Sequence, residues 1–391
     1  MKTLRDVELK GKRVLIRVDF NVPMNEAGEI TDDLRIRTVL PTLSYLLEQE
    51  AKIIICTHMG RPKGQRVEKF SLAPVASYLA KLLDRPVPLA SDCVGPEVTK
   101  AVEQLKGGQI LMLENLRFHA QEEKNDMEFS RQLASLAEVY VNDAFAVSHR
   151  AHASVAGVTE YVQEKAAGFL LQKEIEYFHR CIDTPQRPLV ALVGGAKVSG
   201  KLEALRNMLE RVDKMIIGGA MANTFLKSQG YAVGASKVED DLLETADALL
   251  KHAKAKNVKV YLPVDVIAAD RFAPDAVSKQ VTIQDIPDNW MALDIGPASV
   301  ICFCEVLADA KTIVWNGPMG AFEMDAFARG TMALAHAVAA SHALSVTGGG
   351  DSNAAIALSG ESENISYMST GGGAFLELME GKALPGVKAL G

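Results

Sequence analysis

Short runs of Val, Ile, Leu and Ala recur along this 391-residue chain, each followed by a polar exit and then by a helix-forming segment. Runs that do not alternate with polar residues suit strands buried on both faces. Strands that alternate with helices imply open, mainly parallel sheets covered by helices on both sides. In the first half the strands fall in 13–23, 51–62, 109–118 and 137–154, with helices expected over 38–49, 72–83, 97–105 and 126–136. In the second half the same unit is read at 190–205, 212–225, 258–270, 311–323, 343–355 and 364–375. A chain of this length has room for more than one core. Between the halves, GFLLQKEIEYFHRCI (168–182) carries apolar residues at helical spacing and is expected to be a helix joining two domains, with Pro185 and Pro188 ending the connection.

The two halves differ in what stands at the strand exits. The first half places Arg17, Arg61, Arg117 and Arg150 there, with Arg35 in the loop TDDLRIR and His58, His149 and His152 close in sequence. In open α/β sheets ligands bind beyond the carboxyl ends of the strands. A single arginine there is ordinarily a solvated surface residue. A ring of guanidinium forks matches a small, strongly anionic substrate. Asp19 and Asn21 could hold substrate hydroxyls or order the turn before Pro23.

In the second half glycine replaces arginine. VALVGGAKVSGKLEAL (190–205) joins an apolar strand to a helix through a glycine turn bearing Lys197 and Lys201. A helix N-terminus with unpaired N–H groups invites an anion, although such turns are often merely structural. The stretch is not a Walker A loop, because Leu202 stands where a Mg²⁺-binding hydroxyl is required. GGGDS before a helical run sets Asp351 beside helix N–H groups, a possible Mg²⁺ ligand among phosphates, and STGGGA repeats the arrangement.

A formal charge of −7, with neither half basic, argues against nucleic acid or an acidic membrane as a partner. No apolar run approaches bilayer-spanning length, and the first residues lack a secretory apolar core. Five scattered cysteines suggest reduced thiols in a cytosolic protein; Cys302 and Cys304 lie in an apolar helix or strand.

The ordered motifs RVDFNVP, HMGRP, LENLRF, SHRAHAS, GGAKVSGK, WNGPMGAFE, GGGDS and STGGGA closely resemble the bacterial-type phosphoglycerate kinases, from Met1 to Gly391. The resemblance implies two Rossmann-like three-layer α/β/α domains: 1–168 for 3-phosphoglycerate, an interdomain hinge helix over 169–183, and 184–376 for nucleotide. A tail over 377–391 would pack back on the first domain. It implies a cytoplasmic, monomeric, Mg²⁺-dependent kinase that moves phosphate between 1,3-bisphosphoglycerate plus ADP and 3-phosphoglycerate plus ATP. Asp19, Asn21, Arg35, His58, Arg61, Arg117 and Arg150 would bind the glycerate. Lys197, Lys201, Gly218, Gly219, Asn316, Pro318, Glu323, Gly349, Gly350, Asp351 and Ser352 would bind the nucleotide, with Asp351 on the metal. Arg35, Lys197, Gly371 and Gly372 would act on the transferring phosphoryl group. The chain departs from the usual motifs at Met59, Gly200, Ala220 and Ser352, the second and third of which bear on nucleotide contacts. Another phosphotransferase of the same architecture, or a nucleotide-binding protein without turnover, would share much of this pattern. The presence of Arg35, Arg150, Lys197 and Asp351 argues for turnover.

Overall fold

Most of the apolar runs become buried parallel strands. The computed structural model describes every residue from Met1 to Gly391. By packing, the chain forms two units, Met1–Ile175 with Ala383–Gly391, and Glu176–Lys382.

The first unit is built on β1 (Arg13–Val18), β2 (Lys52–Cys56), β3 (Ile110–Met112), β4 (Val139–Asp143) and β5 (Glu164–Ala167), in the order β3-β2-β1-β4-β5. Every pairing is parallel, and Ile16 lies opposite Ile55 on one side and Val141 on the other. The helices Leu40–Glu48, Ala73–Leu83, Pro96–Glu103 and Met127–Ser135 agree with the sequence reading to within about two residues. Their starts have local causes. Pro96 opens one helix where its missing N–H is harmless, and Asp126 caps another by accepting from Phe129 N at 2.9 Å. Val14, Ile16 and Val18 join Leu43, Leu46 and Leu79 in one core.

In the second unit the main sheet is made of β6 (Leu189–Val193), β7 (Lys214–Ile217), β8 (Lys259–Tyr261), β12 (Thr312–Asn316), β13 (Leu344–Thr347) and β14 (Tyr367–Met368). Its order is β14-β13-β12-β6-β7-β8, again all parallel. In both sheets the first strand is internal and the order reverses beside it, between β1 and β4 and between β6 and β12. A crevice opens at such a reversal.

One stretch departs from the expected pattern. Residues 258–270 were expected to form a strand that leads through a turn into a helix. They split instead into β8 and β9 (Asp265–Ala269), and β9 leaves the main sheet to pair antiparallel with β10 (Ser278–Thr282) and β11 (Met291–Ile295). Pro263, between them, has no N–H to continue the ladder. The linking segment is helical over Phe169–Phe178 and widens into a π turn over His179–Asp183. Cys302 and Cys304 lie on the helix Pro297–Ala308, and all five cysteines are free. No helix is long and apolar enough to cross a membrane.

Leu192 is wholly buried in β6, between β7 and β12. Leu192→Ala should cost about 2–5 kcal/mol, read as a lowered urea midpoint for the second unit.

Candidate active site

At the carboxyl end of β1 the first unit gathers its charged residues. Arg35 donates from NH1 to Asp19 Oδ2 at 2.7 Å and to Asn21 O at 3.2 Å. Asn21 Oδ1 accepts from Gly60 N at 2.9 Å, and Arg117 NH1 donates to Gly60 O at 2.8 Å. His58 is buried with Nδ1 3.6 Å from Asp19 Oδ1. Arg150, partly buried, contacts His149, while Arg61 is exposed and forms no ion pair. Asp19, Asn21, Arg35, His58 and Arg117 therefore share one place, set around residues 19–21 and 58–60.

Arg17 does not belong to the exposed ring suggested by its place in the sequence. It lies within β1, 1% exposed, with its guanidinium turned inward. It donates from Nε to Ser154 Oγ at 2.8 Å, from NH1 to Val18 O, and from NH2 to His58 Nδ1 at 3.3 Å. Glu122, fully buried, accepts from Ser154 N at 2.9 Å and Ser154 Oγ at 2.6 Å. Burial raises the Glu122 pKa, against the pull of Arg17 and Ser154. Since Arg17 can only donate, His58 Nδ1 accepts and its ring proton sits on Nε2. Burial, then the charges of Arg17, Arg117, Arg35 and Arg150, hold the His58 pKa well below the usual imidazole range. His58 is thus a neutral hydrogen-bonding group, not a charge. Sequence spacing gave no sign of Glu122 or Ser154.

In the second unit the exits of β6, β7 and β12 interlock through backbone. Gly194 N donates to Asn316 O, Gly195 N to Pro318 O and Gly219 N to Met319 O, each at 3.0 Å. A Cβ on Gly194 would lie 2.1 Å from Pro318 O, and one on Gly219, at φ +66°, 2.5 Å from Gly195 N. Glycine is required at both positions for this close approach. Lys201 Nζ is drawn into the junction, donating to Gly194 O at 2.7 Å and Asn316 O at 2.8 Å. Burial lowers its pKa to about 8, opposed by the charge of Asp351.

Asn316 Nδ2 donates to Gly348 O at 2.7 Å, and Ser352 Oγ accepts from Gly317 N at 2.6 Å. These two side chains brace the turn before the helix Gly350–Ser359. The helix Gly372–Met379 starts beside it, close enough that a Cβ on Gly372 would sit 3.2 Å from Gly349 Cα. Two helix N-termini, at Gly349–Ser352 and at Gly371–Gly372, therefore lie together, Gly371 N donating to Ser369 Oγ at 3.3 Å. Asp351 is exposed in the first turn, and Lys197 is exposed in the loop after β6.

A cleft of about 480 Å³ opens over this junction. Gly195, Gly219, Pro318 and Gly320 line it beside Phe272, Met291 and Leu293, with Lys237, Glu323 and Asp351 also at its wall. Apolar walls with a few charged groups suit a flat ring carrying hydroxyls and phosphates. Phe272, Met291 and Leu293 come from the β9–β11 region, which the sequence pattern had misread, so nothing pointed to them. A hollow of about 600 Å³ between the helices Leu202–Leu209 and Leu243–Ala255 is more open and has neither a glycine exit nor a helix N-terminus.

A family model described as phosphoglycerate kinase matches residues 4–382. The chain belongs to the phosphoglycerate kinase family. It is 68% identical to a phosphoglycerate kinase of Desulfotalea psychrophila over 390 residues, covering 100% of each chain. It is 59% identical to that of Geobacter metallireducens over 382 residues, 98% of this chain and 96% of the relative. Among solved structures, the phosphoglycerate kinase of Coxiella burnetii superposes with a TM-score of 0.92 at 45% identity, covering 99% of this chain and 98% of that one. That of Pyrococcus horikoshii gives 0.82 at 35% identity, covering 100% and 98%. A phosphoglycerate kinase transfers phosphate to the carboxyl group of 3-phosphoglycerate, with ATP or ADP as the nucleotide and Mg²⁺ beside it.

Burial, then nearby arginines and His149, hold the pKa of His152 at about 4 against the ordinary 6.5. From pH 6.5 down to about 4 the unfolded chain binds a proton there that the folded chain refuses, so stability falls with acidity across that window. His58 is shifted in the same direction. His152→Gln should flatten the fall, measured by urea unfolding at several pH values.

Proposed function

We propose that this chain catalyses reversible phosphoryl transfer between 1,3-bisphosphoglycerate plus ADP and 3-phosphoglycerate plus ATP. What carries the reading is 68% identity to a phosphoglycerate kinase along the whole length. The first unit holds the glycerate and the second the nucleotide. Arg35, Arg61, Arg117 and Arg150 collect the phosphate and carboxylate of 3-phosphoglycerate. Asp19 and Asn21 orient its hydroxyl, with Asn21 Nδ2 left to donate because Oδ1 is taken by Gly60 N. Neutral His58 adds a donor without adding charge.

No general base is needed, because an ordinary carboxylate with pKa near ~4 is already ionised at neutral pH. The protein's task is to place two anions in line and spread the charge of a loose transition state. Arg35, Lys197 and the helix start at Gly371–Gly372 act on the transferring group through fixed electrostatics. In the cleft, Gly218, Gly219 and Pro318 border the base, Glu323 takes ribose hydroxyls and Asn316 lies nearby. Gly349, Gly350 and Ser352 wrap the phosphates, and Lys201 turns from its two carbonyls toward them. Asp351 fits Mg²⁺: it is an exposed, hard oxygen donor, without a hydrogen bond or ion pair of its own, beside phosphate-facing N–H groups. The metal supplies neutralisation of phosphate charge when it arrives with the nucleotide.

Because the acceptor and donor residues belong to different units, transfer calls for the units to close on each other and exclude water, with the helix Phe169–Phe178 as the hinge. We assign the enzyme to the cytoplasm, acting as a monomer; five free thiols fit a reducing compartment.

The test is NADH oxidation by glyceraldehyde-3-phosphate dehydrogenase coupled to this protein with 3-phosphoglycerate and MgATP. Activity that requires every component supports the reading. No turnover from folded, ATP-binding protein overturns it. In that assay Lys197→Ala and Arg35→Ala should each lower kcat by on the order of 10²–10³. A free-enzyme Lys201 pKa of about 8 makes kcat/KM for ATP fall above that pH, a limb that Lys201→Arg should move to higher pH.

A further inference from the structure

Asp92, Cys93 and His119 form a cluster that the phosphoryl-transfer chemistry does not use. One ligand atom from each, a carboxylate oxygen, Sγ and an imidazole nitrogen, all lie within 4.8 Å of one another. His119 Nε2 is 2.5 Å from Asp92 Oδ1, and that oxygen also accepts from Cys93 N at 2.6 Å. The His119 ring is held by stacking on Phe129 at 5.0 Å between centroids. Cys93 is fully buried, and its thiol donates to Glu114 O at 2.9 Å. Asp92 and His119 are partly exposed, so the cluster has a buried sulfur at its base and a polar mouth.

We infer that Asp92, Cys93 and His119 form a binding site for a thiophilic divalent cation of the Zn²⁺ class, separate from the Mg²⁺ that accompanies nucleotide. The ligand types decide the metal. Mg²⁺ and Ca²⁺ select oxygen donors, whereas sulfur, imidazole and one carboxylate suit Zn²⁺. Bonds of about 2.0–2.3 Å in a tetrahedron put ligand atoms roughly 3.3–3.8 Å apart. The widest pair therefore has to close by up to about 1 Å. His119 Nε2 and Asp92 Oδ1, 2.5 Å apart, have to open by about 1 Å and give up their hydrogen bond. Both movements are within reach of the half-exposed Asp92 side chain. Water takes the fourth position at the mouth.

On binding, the Cys93 S–H proton leaves to solvent, its bond to Glu114 O is lost, and the His119 proton moves to Nδ1 so that Nε2 can ligate. Ligation needs the thiolate, so binding releases a proton and tightens as pH rises. The carboxylates of Glu114 and Glu122 also act on Cys93, and Arg66 lies 3.7 Å from Glu114. The Glu114 carboxylate is engaged by Leu72 N, Asn115 N and Ser71 Oγ, and Arg66 by Ser91 O. Glu122 is held by Ser154 N and Ser154 Oγ, so neither carboxylate competes as a ligand. The bound ion would tie the 91–93 loop to the segment that follows Leu116–Phe118, adding a cross-link within the first unit.

The test titrates the full-length, nucleotide-free protein with Zn²⁺ in excess Mg²⁺ by calorimetry, and with Co²⁺ as a spectroscopic substitute. One Zn²⁺ per chain is expected, bound more tightly at pH 8 than at pH 6.5, with a rise in Tm. Cobalt should show thiolate charge-transfer absorption. Cys93→Ser and His119→Gln should each weaken binding by at least about tenfold, the cobalt band vanishing in the first. Paired Cys302→Ser and Cys304→Ser changes should leave both readouts intact. Absence of the cobalt band from the unaltered protein overturns the site, without recourse to a variant of a buried residue. Zn²⁺ affinity that survives in His119→Gln does the same.

Discussion

A guanidinium buried inside a parallel strand sets the terms for the first unit. Arg17 has no water to solvate its charge, so its donors must find acceptors in the protein. Ser154 Oγ, Val18 O and His58 Nδ1 supply them, and Glu122 brings a carboxylate through Ser154. The arrangement has a directional consequence. By donating to Nδ1, Arg17 fixes the His58 tautomer and turns its other nitrogen into the donor. The same positive charge discourages protonation, so an imidazole among arginines stays neutral. The charged groups at the exit of β1 are thereby held by a buried polar network rather than by loop packing alone.

The second unit solves a different problem with the opposite means. Where the first unit spends its strand exits on cationic forks, the second removes side chains so that backbone can touch backbone. Gly194 and Gly219 let three strand exits interlock through amide–carbonyl bonds, which leaves a rigid, nearly side-chain-free surface over β6, β7 and β12. Lys201 closes this junction by satisfying two carbonyls that would otherwise face the cleft. Asn316 and Ser352 brace the neighbouring turn in the same way, so their side chains set the direction of the amides that open the helix Gly350–Ser359.

Most of the parallel architecture was legible because an unbroken apolar run and the glycine or arginine after it are local signals. β1, β2, β4, β6 and β12 all fell where those runs stood. The antiparallel excursion through β9, β10 and β11 was not legible: Ser278–Thr282 is mostly polar and exposed, and a strand on a thin sheet has no double-sided burial to print on its sequence. Residues that depend on it, such as Phe272 and Leu293, were invisible for the same reason. Arg17 failed differently. Its position next to Asp19 suggested an exit, but a difference of two residues along a strand decides between the mouth of a site and its foundation. Glu122 and Ser154 meet only through the tertiary fold.

Residues Ala383–Gly391 complete the first unit. Gly386 N donates to Ser148 O and Asn142 Nδ2 to Gly386 O, while Leu384 and Leu390 are buried. During synthesis from the amino end, the unit made first thus waits for residues made after the whole of the second. Glu176–Lys382 contains all its own strands and can finish its core earlier. Order of emergence from the ribosome and order of completion are therefore reversed, and the earlier-made unit is the one left with an uncovered seam around Asn142 and Ser148 while translation continues.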